Sequence, residues 1–235
     1  MYSSPDHSPR SAGSPWWSAA IVWMGSAVLL GALVAAVSAH PGPFALDADL
    51  HRWVLGHRPE WARQVAVAVT TTGSGVPAYA LAALAGALAR RTSAWRGALA
   101  GLIALASAQL VRITLARALA RPRPSAEDWA TEASGWAMPS GHTTTSMVVA
   151  VLLTLAVHRR VRGRGRPLLL GLPVLWAVAV GLSRVYLGVH WPTDVAAGWL
   201  LAAFWAASAA LLVLLWRRRP ATRAVYVSSE ERQRP

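Results

Sequence analysis

Cysteine is absent from all 235 residues, so the chain has no disulfide framework, no thiol nucleophile and no thiolate metal site. Lysine is absent too, and all 23 basic residues are arginines. Charge of either sign is scarce, at 14 % of residues, where a soluble domain carries about a quarter. That deficit stands beside 54 % apolar residues and a mean hydropathy of +0.37. Together they exclude an ordinary cytosolic enzyme and exclude disorder for most of the chain. The composition is that of a membrane protein. A net charge of +13 raises nucleic-acid binding as a second reading, but such binders gather their charge on one folded face. Here the arginines cluster between long apolar runs, as the flanks of membrane helices do, so the expected partner is a lipid bilayer and not a nucleic acid.

A helix crosses a bilayer with about 20 mostly apolar residues. Six runs qualify: Trp17 to Val37, Val65 to Ala89, Gly97 to Leu115, Thr143 to Val157, Leu168 to Leu187 and Val195 to Trp216. The expected fold is therefore all-α and polytopic, with a six-helix membrane domain over 16–216 between mobile tails at 1–15 and 217–235. The second run is interrupted by Thr70, Thr71, Thr72, Gly73, Ser74, Gly75 and Pro77, and the fourth is short and polar at its start. Neither loses its span, because polar or broken helix is tolerated where it faces protein or a wet cavity. The first run is longer than the apolar stretch of a signal peptide and is read as a retained helix. With the N-terminus placed in the cytoplasm, thirteen arginines flank the inner face and seven the outer, so both termini are expected to be cytoplasmic. Between Pro41 and Arg63, the spacing of Leu46, Leu50, Trp53, Val54 and Trp61 predicts a short helix lying flat at the outer interface. Its neighbours His40, His51 and His57 read as surface residues.

Ionisable groups beside a bilayer are expensive, so those at helix ends with no topological task are the first functional candidates. Three clusters qualify: Arg117-Ala-Leu-Ala-Arg121-Pro122-Arg123-Pro124, Pro139-Ser140-Gly141-His142, and Ser183-Arg184 followed by His190 and Asp194. All three fall on the outer face, although the orientation came from other arginines. His190 and Asp194 are spaced i, i+4 and share one side of a helical turn. A carboxylate there accepts from one imidazole nitrogen, fixes the tautomer and leaves the other lone pair nucleophilic. Arg121, Arg123 and Arg184 read as a clamp for phosphate oxygens, since guanidinium binds them in pairs and never loses its charge. The two prolines stiffen the first cluster. The Pro-Ser-Gly-His turn feeds a helix whose free N–H groups favour an anion, with His142 placed as a general acid. Each cluster has a plainer reading as well: a helix stop, a turn with its cap, or a metal site made of both histidines and Asp194.

The order Arg-Pro, then Pro-Ser-Gly-His, then Ser-Arg-x5-His-x3-Asp resembles the three-part signature of the type 2 phosphatidic acid phosphatase superfamily. The resemblance spans about residues 45–215. It implies a six-helix membrane phosphatase without metal or cofactor. His190 would take up the phosphoryl group, Asp194 would orient it and His142 would protonate the leaving oxygen. Arg123 and Arg184, with Ser140 and Gly141, would hold the phosphate oxygens. One position departs from the pattern. The family lysine falls on Ala116 counted from Arg123, or on Thr114 counted from Arg121, and neither is basic. Arg117, one residue away, and Arg112, one turn earlier on the same side, are its candidate replacements.

The expected substrate is an anionic lipid phosphate or diphosphate in the cell membrane, met from the extracytoplasmic side: phosphatidate, phosphatidylglycerol phosphate or undecaprenyl diphosphate. The alternatives are a phospholipid-binding or transport protein that does not hydrolyse its ligand, favoured by the missing lysine, and a haloperoxidase.

Overall fold

The computed structural model describes residues 15–218. Within them the chain forms eight α-helices and no strand: α1 (Pro15–Ala39), α2 (Ala45–Gly56), α3 (Glu60–Thr72), α4 (Gly75–Ala89), α5 (Ala94–Leu119), α6 (Gly141–Arg160), α7 (Arg166–Tyr186) and α8 (Pro192–Arg218). The tails expected at 1–15 and 217–235 lie outside the described residues except for Pro15, Arg217 and Arg218, which extend α1 and α8.

Five helices, α1, α5, α6, α7 and α8, are each long and apolar enough to cross a bilayer. The sixth span is the bent pair α3 and α4, which meet at 50° across Gly73 and Ser74. With the bent pair counted as one, six candidate spans are present among the described residues, and the polar interruption in the second is a sharp bend. Side chains such as Ile21, Val28, Leu168, Leu175 and Leu212 are exposed all round the bundle, as lipid-facing residues are. In lipid there is no hydrophobic gain between helices, so contact depends on close packing. Small residues provide it where α4 crosses α5. A Cβ added to Gly86 would come within 2.1 Å of the Gly97 carbonyl oxygen, so only glycine allows this approach. The main core joins Ala78 and Ala82 of α4, Leu105 and Ala108 of α5, Val148 and Val149 of α6 and Ala202 of α8.

The short helix expected between Pro41 and Arg63 is α2, which stops at Gly56 so that Trp61 belongs to α3, and its inner face corrects another reading. His51 is buried, donates Nε2–H to Asp128 Oδ2 at 2.9 Å and packs edge-on against Trp191. His40 and His57 are exposed. The end of α5, the starts of α4, α6 and α8 and the end of α7 share one end of the bundle. Arg90, Arg91, Arg159, Arg160 and Arg166 mark the other.

Candidate active site

At the first of these ends lies a cavity of about 560 Å³, lined by six segments of the chain. Ser74, Gly75 and Tyr79 come from α4 and the turn before it, Gln109, Arg112 and Ile113 from α5, and Arg123 with Glu132, Ala133 and Ser134 from the loop joining α5 to α6. Gly141, His142 and Thr145 open α6, Arg184 comes from α7, and His190 stands just before α8. The three sequence clusters are therefore gathered into one place, with His142 and His190 on the wall of a single cavity.

His190 sits in a turn rather than in a helix, because α8 begins at Pro192. It is almost fully buried. Arg123 Nη1 donates to His190 Nε2 at 2.8 Å, which puts the lone pair on that nitrogen and the proton on Nδ1. Nδ1 faces Asp194 Oδ2 at 3.4 Å, within reach but not a formed hydrogen bond, and is a buried donor without a partner. Burial first, then the cations of Arg123 and Arg184, hold the His190 imidazole well below its ordinary pKa, so the ring is neutral.

Arg123 is anchored by backbone carbonyls: Nε to Gly135 at 2.9 Å, Nη2 to Ser134 at 2.8 Å and Nη1 to Val189 at 2.7 Å. Arg184 donates Nη1 to Thr70 Oγ1 at 3.0 Å and keeps a buried Nε with no partner. Arg112 donates Nε to Gln109 Oε1 at 3.0 Å, and Gln109 in turn bonds Thr145. The hydrogen-bond partners of these three cations are neutral, and among the described residues Glu132 is the one carboxylate on the cavity wall, so the balance of charge there stays positive. His142 Nε2 and the Ser74 hydroxyl are 2.8 Å apart.

Other sequence candidates lie elsewhere. Ser140 stands just before the first turn of α6 and is buried behind the cavity wall; its N–H donates to the Asp194 carbonyl at 3.1 Å and its Oγ accepts from Thr143 at 3.0 Å. This seat depends on Gly198 of α8, where a Cβ would come within 3.1 Å of the Ser140 carbonyl oxygen. Asp194 is fully buried behind His190. Arg121 is not on the cavity. It is also fully buried, between Asp194 Oδ1 at 2.6 Å and Asp47 Oδ2 at 2.8 Å. Its charge is met there by two carboxylates, so it is turned away from any anion in front of His190. Arg117 is exposed and does not line the cavity, whereas Arg112 does, against Gly141. Among the described residues no three His, Asp or Glu side chains are grouped to hold a metal ion.

Sequence reading missed Thr70, Ser74 and Gln109, which orient the site's charged and imidazole groups, and Asp47 and Thr193, which lie behind it. Only one signal pointed to them. Polar residues inside an apolar span face protein or water, and Thr70 and Ser74 belong to the interruption of the second span.

A chain of this kind has recognisable relatives. A family model described as the PAP2 superfamily matches residues 97–220. An undecaprenyl-diphosphatase of Sulfolobus acidocaldarius is 42 % identical over 66 residues, 28 % of this chain and 28 % of that protein. A decaprenylphosphoryl-5-phosphoribose phosphatase of Mycobacterium tuberculosis is 34 % identical over 130 residues, covering 53 % of this chain and 66 % of the relative. Each of these two matches spans less than two thirds of the relative's length. Phosphatidylglycerophosphatase B of Bacillus subtilis is 30 % identical over 174 residues, 72 % of this chain and 83 % of that protein. Among solved structures, a transmembrane PAP2-type phosphatidylglycerolphosphate phosphatase from Bacillus subtilis superposes with a TM-score of 0.68 at 26 % identity, over 79 % of this chain and 94 % of that one.

Proposed function

This chain belongs to the PAP2 superfamily, and from that premise we propose that it is a membrane phosphatase hydrolysing a lipid phosphate or diphosphate through a phosphohistidine, without a metal ion. The observation that carries the reading is the cavity itself. Two imidazoles and three guanidinium groups with neutral partners face one space, large enough for a phosphate and the start of its lipid. Such a space attracts an anion and offers it a nucleophile.

A phosphate entering the cavity draws the Arg123 Nη1 donor from His190 Nε2 onto one of its own oxygens and so frees the lone pair. His190 Nε2 then attacks phosphorus, the bond from phosphorus to the lipid oxygen breaks, and that oxygen takes a proton from His142, which is an imidazolium once the phosphate's negative charge lies among the arginines. Water next attacks the phosphohistidine and gives a proton back to His142, and inorganic phosphate leaves with His190 neutral again. Arg112, Arg123, Arg184 and the free N–H groups of Gly141 and His142 oppose the charge that gathers on the phosphoryl oxygens. Asp194 holds the imidazole. The arginine-rich ends of the helices lie opposite the cavity, which supports a cytoplasmic position for both termini and an active site on the extracytoplasmic side of the cell membrane.

The binding-protein alternative drew on the missing family lysine. Arg112 at the cavity supplies a cation there and removes that argument. The test is phosphate release by purified protein, in chelator, from phosphatidate, phosphatidylglycerol phosphate, undecaprenyl diphosphate and decaprenylphosphoryl-5-phosphoribose. Turnover of at least one is expected, with orthovanadate inhibiting it and His190→Ala reducing it by at least about 10⁴-fold. No release from any of the four overturns the reading, and release that needs metal replaces the metal-free mechanism.

A further inference from the structure

Behind His190 the structure holds a polar cluster of which the mechanism above uses only Asp194. Asp47 of α2 is fully buried and accepts four hydrogen bonds: from Arg121 Nη2 at 2.8 Å, the Thr193 N–H at 3.0 Å, the Thr193 hydroxyl at 2.7 Å and the Phe44 N–H at 3.2 Å. Arg121 also donates to Asp194 Oδ1 at 2.6 Å, while the Trp191 N–H holds Asp194 Oδ2 at 2.9 Å. One guanidinium thus stands between two carboxylates, where water does not reach. With both carboxylates ionised the cluster carries one negative charge in excess, and the unpartnered Nδ1 of His190 lies beside Asp194.

Two charges in so dry a place act strongly on each other. Were Arg121 paired with Asp194 alone, it would cancel the carboxylate that His190 needs when its ring becomes positive. We infer that Asp47 is a positioning residue for the proposed nucleophile: it satisfies Arg121 from the far side, so that Asp194 meets His190 with its orientation fixed and its charge uncancelled. The inference rests on the phosphatase reading above.

The experiment uses the purified full-length protein and the isosteric change Asp47→Asn, alone and combined with Asp194→Asn. Asp47→Asn is expected to lower kcat roughly 30-fold and to leave KM within about twofold. Orthovanadate, which must bond to His190, weakens by the same factor, while inorganic phosphate, held by the cavity arginines, binds as before. In the Asp194→Asn background the same change costs less than about threefold, because its target is already gone. Unaltered kcat and vanadate affinity in a folded Asp47→Asn protein, or the full 30-fold loss repeated in the Asp194→Asn background, overturns the inference.

If Asp47→Asn is not recovered folded, Thr193→Val removes the hydroxyl shared by Asp47 and Arg121. The ratio of vanadate to phosphate affinity should then fall about threefold, and an unchanged ratio overturns the inference. Wild-type protein that hydrolyses no lipid phosphate defeats the phosphatase reading instead. Vanadate binding at equilibrium needs no turnover and still decides the part played by Asp47.

Discussion

In front of His190, Arg112, Arg123 and Arg184 line an open cavity and hydrogen-bond to an amide, to carbonyls and to a hydroxyl; behind it, Arg121 is sealed between Asp47 and Asp194. The four cations are the same residue type, and Arg121 and Arg123 are two positions apart on one stiff Arg-Pro-Arg-Pro run. What separates them is the partner each has already found. A guanidinium on neutral acceptors keeps its charge for a ligand, whereas one between carboxylates has none left to offer and serves to fix them. The front is therefore suited to anion binding and the back to rigidity. Substitutions on the two sides should fail in different ways.

The largest difference is expected between Arg121→Ala and Arg123→Ala. Removing Arg121 leaves two buried carboxylates facing each other without a cation, a loss of about 3–5 kcal/mol. Its thermal midpoint in detergent should fall steeply, or the protein should not be recovered at all. Removing Arg123 leaves loop carbonyls that water can reach from the cavity and should lower that midpoint much less, while turnover falls about 100-fold. Equal losses of stability in the two variants would erase the distinction between front and back.

A sharper comparison lies within the front, between Arg112 and Arg117. Both sit near the place where the family pattern has its lysine, yet only Arg112 reaches the cavity. Arg112→Gln should lower kcat/KM roughly 100-fold, as the loss of one donor to the transition state does, with Arg117→Gln within about twofold of wild type. The reverse ranking would mean that the exposed arginine swings in when substrate binds.

These contrasts also mark where sequence stops being informative. The six spans could be read because each is a long apolar run, and the second was blurred because its window contains Thr70 to Gly75, which the fold uses for a 50° bend. Pro139 to His142 and Arg184 to Asp194 could be read as site candidates because each is a short local pattern. Arg121 was read as a phosphate ligand because its deciding partner, Asp47, is 74 residues away in the chain, on a helix read as merely interfacial. His51 was taken for a surface residue for the same reason: its partner Asp128 lies in the loop between α5 and α6. The choice between Arg112 and Arg117 turns on how α5 is rotated against its neighbours, which helical periodicity alone leaves open. Arginines cannot be sorted by their function until their acceptors are known.

The smallest expected effect concerns pH, and it tests whether the front cations act on His190 as well as on the ligand. His190 faces Arg123 from the loop between α5 and α6, Arg112 from α5, His142 from α6, Arg184 from α7 and Asp194 from α8. Burial, followed by Arg123 and Arg184, lowers its pKa well below the ordinary value, so a proton does not compete near neutrality for the lone pair that the proposed mechanism uses. The acid limb of kcat/KM that belongs to His190 should accordingly lie below about pH 6.5, with the rate sustained as pH falls from 7 towards that limb. Arg123→Gln removes both a nearby cation and the donor on Nε2, and each change makes protonation of the ring easier. In that variant the limb should move to higher pH by up to about one unit, measured on its residual turnover and normalised to its own maximum. A limb that stays in place would mean that burial and the remaining cations set the basicity of His190 and that Arg123 acts only on the phosphate.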